Sequence, residues 1–284
     1  MVEKMENKET KINAIDFFDD RFYKITYEKD KKEVVDYFAS VTTKLGALAK
    51  PFLTRWYGDL GTREAKLRAM EAADRGSRVH YGWQIYLLKG AVIYNNNKNP
   101  SYTSQQINEI DKENEGRTAI LYSQEEMLSM YKMQQWDKIV NPKLMATEKT
   151  LYSMKYRDAG TADTIFEIKE GEYLVNGNKP LRIKGGNYIH DLKTGKSIGN
   201  DSKMQVSCYL KMAEEMGIAK FEGALITHTQ AKIKTGIAGL ATILLTREDV
   251  EKYYNDYRNI ASVWDSQFGT LKPKIFKIPT LIKR

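Results

Sequence analysis

The stretch 159–209 contains the residue types that could hydrolyse a phosphate ester. Asp163 and Asp191 each lie in a run typical of a β-strand, and Lys193 follows Asp191 by two positions. Side chains two apart along a strand project from the same face of the sheet. The carboxylate of Asp191 and the ammonium of Lys193 are therefore predicted to lie side by side. This pattern predicts a site that holds a divalent cation against a phosphate group.

An amphipathic helix is predicted to follow, from about Ser202 to Met216, where Gly217 ends it. It carries Gln205 and Tyr209, which are four positions apart and therefore share one helix face. An amide and a phenol at this place would steady the substrate or the water molecules around a cation. The alternative is an ordinary polar edge on a surface helix, and the acids upstream favour the first interpretation.

The two aspartates supply the ligand type that metal-assisted phosphodiester hydrolysis requires. A divalent cation makes a water molecule more acidic and neutralises the charge that builds on the phosphate. Mg²⁺ and Mn²⁺ prefer oxygen ligands, so Asp163 and Asp191 are the natural anionic ligands. The Leu192 carbonyl, next to Asp191, is a further oxygen ligand of this set. Lys193 would orient the attacking water or stabilise the transition state as a point charge.

Histidine is rare in this chain, with three residues in all. His80 lies in a predicted helix, where a lone histidine is more often structural than a ligand, but the two aspartates favour a place for it at the metal. An imidazole ligand suits Mn²⁺ better than Mg²⁺. His190 directly precedes Asp191, so strand alternation predicts that it points to the opposite face and is not a ligand.

The composition is that of an ordinary globular chain with a basic balance. Of 284 residues, 42% are hydrophobic and 29% charged, with a formal net charge of +8, which favours a polyanionic partner only weakly. The single cysteine excludes an internal disulfide and an all-cysteine zinc or iron–sulfur site. The sequence has neither a membrane-spanning apolar run of ~20 residues nor the apolar region of a secretory signal. We therefore expect an intracellular, cytoplasmic protein.

The order of the predicted elements indicates an α/β fold, with a central mixed β-sheet flanked by helices and a helical N-terminal half. Strands are predicted at 21–27, 33–38, 146–156, 160–169, 172–175, 181–192, 221–228 and 240–245, and helices within 51–90 and at 123–137, 202–216 and 246–264.

A single domain is expected at 21–268. Residues 1–20 are expected to be a flexible N-terminus. An insertion at about 91–120 is predicted to be loop with a short helix at most, either a lid or a tolerated excursion. The basic tail 269–284 could follow a phosphate backbone or simply be a solvated end.

Five short motifs, in one order, carry a resemblance to a known family. They are Gly76-x-x-x-His80, Glu148, Gly160-Thr-Ala-Asp163, Asp191-Leu-Lys193-Thr and Gln205-x-x-x-Tyr209. Across roughly residues 40–265 they resemble the RecB-like branch of the PD-(D/E)XK nucleases. The N-terminal Ser40-Val-Thr-Thr, Trp56 and the late strand–helix segment resemble phage exonucleases and the mitochondrial genome maintenance exonuclease.

The resemblance implies a restriction-endonuclease-like core with Mg²⁺ or Mn²⁺ between His80, Asp163 and Asp191. It also implies Lys193 as the catalytic lysine and a catalytic part for Glu148, for which a glutamate on a strand surface is the alternative. The iron–sulfur subgroup of these nucleases needs several cysteines and is excluded.

The substrate that the resemblance implies is DNA, single-stranded or with a free end, contacted by Gln205 and Tyr209. The expected activity is a metal-dependent exonuclease serving replication, recombination or repair. Two alternatives stay open: a structure-specific or restriction-type endonuclease, and a DNA-binding subunit with a nuclease fold but no activity. The oligomeric state also stays open.

Overall fold

The structure is a computed structural model, which describes residues 10–17, 20–48, 50–195 and 197–273. Most of the predicted flexible N-terminus and of the predicted basic tail lies outside these ranges. Residues 11–17, which were expected to be flexible, form a strand paired with the next one.

Within the described ranges the chain forms twelve strands and seven helices. The strands are β1 (Lys11–Phe17), β2 (Asp20–Lys29), β3 (Lys32–Ser40), β4 (Ala91–Tyr94), β5 (Thr118–Leu121), β6 (Lys143–Ser153), β7 (Asp158–Ile168), β8 (Gly171–Asn176), β9 (Lys179–Ile183), β10 (Gly186–Lys193), β11 (Phe221–His228) and β12 (Ala241–Thr246). The helices are α1 (Val41–Leu45), α2 (Pro51–Leu60), α3 (Thr62–Leu87), α4 (Ser104–Glu113), α5 (Gln124–Val140), α6 (Asn200–Glu215) and α7 (Arg247–Phe268).

Eight of the described strands form one mixed sheet in the order β1-β2-β3-β7-β10-β11-β12, with β6 also paired to β7. The pairs β3–β7 and β10–β11 are parallel, and the other pairs of this sheet are antiparallel. Helices α1, α6 and α7 pack on one face of the sheet, and α3 and α5 pack on the other. The predicted α/β fold with a central mixed sheet flanked by helices is thus confirmed.

Strand β10 shows how the sequence divides the core between the two faces. Ile189 packs with α6 and α7, whereas Tyr188 and Leu192 pack with α3 and α5. This alternation follows from the two-residue period of a strand.

The sheet opens along one edge of β7. Strand β6 pairs with β7 over almost its whole length, so β3 and β10 share the opposite edge. On that edge β3 pairs only with Asp158 and Ala159, and β10 pairs only from Thr164 onward. Between them, no described strand pairs with residues 160–163 on this edge. We call this opening the sheet gap.

The prediction for the insertion at 91–120 was wrong in its secondary structure. Strands β4 and β5 pair in parallel, and α4 connects them, as a parallel pair requires a crossover. Each strand has only four residues, too few to show a period. Ile93, Ala119 and Leu121 are buried, so tertiary packing stabilises this small βαβ unit.

The predicted single strand 181–192 is also corrected, because it is two strands. Strand β9 ends at Ile183 and pairs with β8, while β10 begins at Gly186 in the central sheet. Gly186 has φ of 149°, and a Cβ there would lie 2.5 Å from Cγ of Glu222. Only glycine fits this change of direction without strain.

A cluster of four charged residues lies at the first residue of β7, and we call it the ion-pair cluster. Lys44 Nζ lies 2.6 Å from Asp158 Oδ1 and 2.8 Å from Asp265 Oδ1. Arg258 Nη1 donates to Asp158 Oδ2 at 2.7 Å. The two positive and two negative charges balance, and they join α1 and α7 to the sheet.

Across the residues that the structure describes, no helix combines the length and the apolar character needed to cross a membrane.

Candidate active site

A cavity of about 520 Å³ lies at the sheet gap, between α3, α6 and β2, and we call it the catalytic pocket. Its walls include His80, Glu148, Asp163, Gln205 and Tyr209. These five predicted site residues come from α3, β6, β7 and α6, and the fold brings them to one place. Asp191 and Lys193 are joined to this group by the contacts described below.

His80 and Asp163 form the first contact pair of the pocket. His80 Nδ1 lies 3.2 Å from Asp163 Oδ2. One turn earlier on α3, Gly76 passes close to the end of β10, where a Cβ would lie 3.1 Å from Thr194 Oγ1. The small residue at position 76 therefore lets α3 approach the sheet closely enough for His80 to reach Asp163.

Asp163 also bridges the sheet gap. The N–H group of Leu192 donates to Asp163 Oδ2 at 2.8 Å, just beyond the last backbone pair between β10 and β7, His190 with Thr164. Where the two strands separate, the Asp163 carboxylate thus takes the place of the backbone carbonyl that would otherwise accept this hydrogen bond. The Leu192 side chain packs on the α3–α5 face, and its carbonyl as a metal ligand stays a prediction.

Asp191 and Lys193 lie side by side, as strand alternation predicted. Lys193 Nζ is 2.8 Å from Asp191 Oδ2 and 3.2 Å from Asp191 Oδ1. Lys193 also donates to Gln205 Oε1 at 3.1 Å, and Gln205 Nε2 donates to the Tyr209 hydroxyl at 3.0 Å. The shared helix face of Gln205 and Tyr209 therefore orients the lysine.

Gly160 explains why the stretch before Asp163 begins with glycine. A Cβ on Gly160 would lie 2.4 Å from Cε1 of Tyr209, whose ring is buried. The missing side chain at position 160 leaves the space in which the tyrosine ring lies against β7. Two separate sequence motifs are thus one packing unit.

Glu148 lies in an unusual backbone conformation on β6. Its φ is 48°, although it is neither glycine nor at a turn, and it falls opposite Asp163 between the Thr147–Thr164 and Lys149–Ala162 pairs. Left-handed conformations of this kind cost of order 1–3 kcal/mol and are concentrated at functional sites. This conformation argues against an ordinary glutamate on a strand surface.

The charges of the pocket act strongly on one another. Burial lowers the pKa of His80, but the charge and hydrogen bond of Asp163 outweigh it and raise that pKa to about 8. Burial raises the pKa of Asp163, but His80, Lys193 and the Leu192 N–H together outweigh it and lower that pKa to about 2. The two side chains therefore form an ion pair near neutral pH.

Two further acids of the site hold protons more tightly than usual. Burial raises the pKa of Asp191 to about 6, although Lys193 opposes the change. Partial burial, and next the negative charge of Asp163, raise the pKa of Glu148 to about 7. Carboxyl pKa values raised by burial and by a neighbouring carboxylate are concentrated at functional sites.

His190 points away from this group, as predicted. It lies against Trp136 with ring centroids 5.0 Å apart, and its ring nitrogens contact the hydroxyls of Thr164 and Thr227 at 2.8 and 3.0 Å. Burial lowers the pKa of His190 to about 4, which keeps the ring neutral. It is a core residue with satisfied hydrogen bonds.

Sequence reasoning missed the residues that β2 adds to the pocket. Arg21 and Tyr23 line it, and the Tyr23 hydroxyl lies 3.0 Å from Thr161 Oγ1. The predicted strand at 21–27 contained both residues, but its docking beside β7 is a non-local contact with no local sequence signal. Tyr81, next to His80 on α3, also lines the pocket.

Within the described ranges, no three His, Cys, Asp or Glu side chains are already arranged to hold a metal ion. His80 instead faces Asp163, and Lys193 faces Asp191. No protein-family model matches the chain, and no curated protein is significantly similar to it. The functional argument therefore depends on the chemistry of the pocket.

Proposed function

We propose that the protein is a Mg²⁺- or Mn²⁺-dependent deoxyribonuclease, acting as an exonuclease on single-stranded DNA or DNA ends. The observation that carries the proposal is the meeting of His80, Asp163, Asp191 and Lys193 at the sheet gap. Asp163 and Asp191 are on different strands, and His80 is on a helix from the first third of the chain. An ordinary protein core has no need for such a group.

The donor chemistry of the pocket fits a hard divalent cation. The Asp191 carboxylate is buried, with Lys193 as its ion-pair partner. Asp163 and Asp191 would hold the cation together with His80, which would have to release its proton to become a ligand, and Glu148 would lie at the exposed side. When bound, Mg²⁺ or Mn²⁺ makes a water molecule more acidic and neutralises charge on the phosphate.

Other side chains of the pocket would stabilise the charge on the phosphate, orient the lysine and exchange protons. Lys193, held by Asp191 and Gln205, presents a fixed positive charge to the phosphate oxygens as negative charge develops there. Tyr209 keeps the Gln205 amide oriented so that its oxygen faces the lysine. Glu148 lines the same pocket as Asp163, where its carboxylate could exchange a proton with a water molecule.

The test is cleavage of end-labelled DNA by the purified protein. Wild type is expected to release labelled nucleotides with Mn²⁺ or Mg²⁺ and to stop when EDTA is added. Asp191→Asn, purified in parallel, removes one carboxylate with almost no change in volume and should lose cleavage. No cleavage by wild type, or equal cleavage by the variant, would refute the proposal.

Covalently closed circular DNA distinguishes the kind of nuclease. An exonuclease leaves it intact and degrades the same DNA after it has been linearised. Cutting of the closed circle would identify an endonuclease and correct this part of the proposal.

A further inference from the structure

A second cavity, of about 940 Å³, lies on the opposite side of α3 from the catalytic pocket. Gly76 and His80 of α3 line the catalytic pocket, whereas Arg68, Ala72 and Arg75 of the same helix line the second cavity. Its other walls come from α2, α5 and the residues that follow β10. We call this cavity the arm cleft.

Helix α2 and the first half of α3, which border the arm cleft, project from the rest of the protein. Helix α3 has 26 residues, which is about 39 Å of helix. Residues 61–74 are exposed except for Ala65, which is buried. Helix α2 and the first half of α3 therefore form an arm, and the cleft is the space beneath it.

The arm cleft adjoins the catalytic pocket, with Gly76 and Thr194 packed against each other between the two cavities. Thr194 and Gly195 line the cleft, and Thr194 directly follows Lys193 in the chain. Gly76, at the boundary between the two cavities, lies against the Thr194 hydroxyl. A strand whose phosphate lies near Lys193 would have its next nucleotide at the mouth of the cleft.

The lining of the cleft suits a flat apolar group better than a phosphate. Leu53, Trp56 and Val79 give it an apolar wall, and Trp56 is half-buried. Its charged lining residues are two cations and three acids, so the cleft has no excess of positive charge: Arg68, Arg75, Glu71, Glu125 and Glu126. Attraction in the cleft must therefore come from the apolar wall and not from net charge.

We propose that the arm cleft binds an unpaired nucleobase of the DNA strand, stacked on the indole ring of Trp56. The inference rests on the proposed nuclease function and assigns a role to a residue outside the catalytic pocket. Stacking on an aromatic ring tolerates any base, because every base has a π face. The phosphate would lie in the polar pocket and the base in the apolar cleft.

The tryptophans of the chain make this proposal directly measurable. All four lie in the described ranges, and Trp83, Trp136 and Trp264 are buried. Intrinsic tryptophan fluorescence therefore responds to a ligand mainly through Trp56. Adding an oligothymidylate of about 12 nucleotides, with EDTA present so that it stays intact, should quench that fluorescence in wild type. The same oligonucleotide should leave the fluorescence of Trp56→Phe unchanged.

Binding measurements separate stacking from a structural role of Trp56. Trp56→Ala should bind the oligothymidylate roughly tenfold more weakly than wild type, and Trp56→Phe should retain most of the affinity. An oligonucleotide of the same length made of abasic sites keeps the phosphates but lacks bases. Wild type and Trp56→Ala should bind that abasic strand equally. Leu67→Ala, exposed on the same arm but outside the cleft, is the matched control and should change neither affinity.

Three outcomes would overturn the proposal. The first is that wild type binds and cleaves DNA but its tryptophan fluorescence is not quenched. This outcome would leave the nuclease function unaffected. The second is an equal loss of affinity for normal and abasic strands in Trp56→Ala, which would make Trp56 only a structural residue of the arm. The third is that wild type is a dimer in solution and that Trp56→Ala is a monomer. This outcome would mean that a second copy of the chain occupies the arm cleft. Failure of the nuclease function itself would appear separately, as no cleavage by wild type.

Discussion

Strand β7 carries buried aspartates in two opposite settings. At its start, Asp158 and Lys44 are each 1% exposed and belong to the ion-pair cluster, in which two positive charges meet two negative ones. Five residues on, Asp163 is 15% exposed and its partner His80 is 28% exposed, in a pocket that Glu148 also lines. That pocket is open, whereas Asp158 and Lys44 are closed off from solvent.

This difference indicates how one strand can serve both stability and chemistry. A closed and balanced cluster leaves no charge for a ligand to neutralise, so its loss should affect folding. An open group leaves carboxylate oxygens for a cation and the Lys193 ammonium for a phosphate, so its loss should affect activity. The following predictions test that separation, beginning with the largest expected effect.

Asp158→Ala should lower the free energy of unfolding by about 3–5 kcal/mol, because Lys44 would be left as a buried charge without its nearest partner. Urea denaturation measures the change. The control is Glu167→Ala, which breaks the exposed pair with Lys143 and should cost less than about 1 kcal/mol. Similar small losses in both variants would contradict the structural role of the cluster.

Lys193→Ala should slow DNA cleavage by about 10²–10³-fold, because it removes the fixed charge that meets the developing charge on the phosphate. Binding of the same DNA in EDTA should be nearly unchanged, as measured by fluorescence anisotropy. Lys143→Ala, at an exposed position, should behave as wild type in both assays. If the affinity of Lys193→Ala falls as much as its rate, Lys193 is only a phosphate contact.

Gly160→Ala should cost about 1–3 kcal/mol of stability, because the new methyl group would overlap the buried Tyr209 ring. Cleavage should fall as well, since Tyr209 orients Gln205 and thereby Lys193. Thermal unfolding and the cleavage assay measure the two effects. Gly58→Ala, where nothing lies within 4 Å of the new group, is the matched control and should not destabilise the protein.

Tyr209→Phe should reduce kcat about three- to tenfold, with little change in KM. This factor corresponds to the free energy that one neutral hydrogen bond contributes. The ring stays in place against Gly160, and only the hydroxyl that accepts from Gln205 Nε2 is removed. Steady-state cleavage kinetics measure both constants. An effect on KM alone would mean that the hydroxyl contacts DNA instead of orienting Gln205.

The alternation of side chains along a strand and the repeat of a helix predicted those parts of the site that lie on a single strand or helix. The neighbouring positions of Asp191 and Lys193 follow from strand alternation, and the shared face of Gln205 and Tyr209 follows from the helical repeat. Both are confirmed by direct contacts. The assignment of His190 to the opposite face is confirmed for the same reason.

The features that depend on pairing between distant segments were not predictable in this way. The sheet gap arises because β3 and β10 divide one edge of β7, and neither strand contains a signal for where the other stops. The docking of Arg21 and Tyr23 beside the pocket has the same origin. The left-handed backbone of Glu148 is imposed by its surroundings, since glutamate has no preference for that conformation.

The sheet gap also determines which remote residues govern the pocket. Since no ladder of hydrogen bonds joins β3 to β10 there, their separation depends on the helices beside them: α1 touches β3 and α6, and α6 touches β10. A change in the volume of Val41 or Leu45, both buried in α1, would be transmitted through α6 to the width of the opening. Substitutions in the apolar layer between α1 and α6, which no substrate contacts, would therefore adjust the rate of catalysis in this protein.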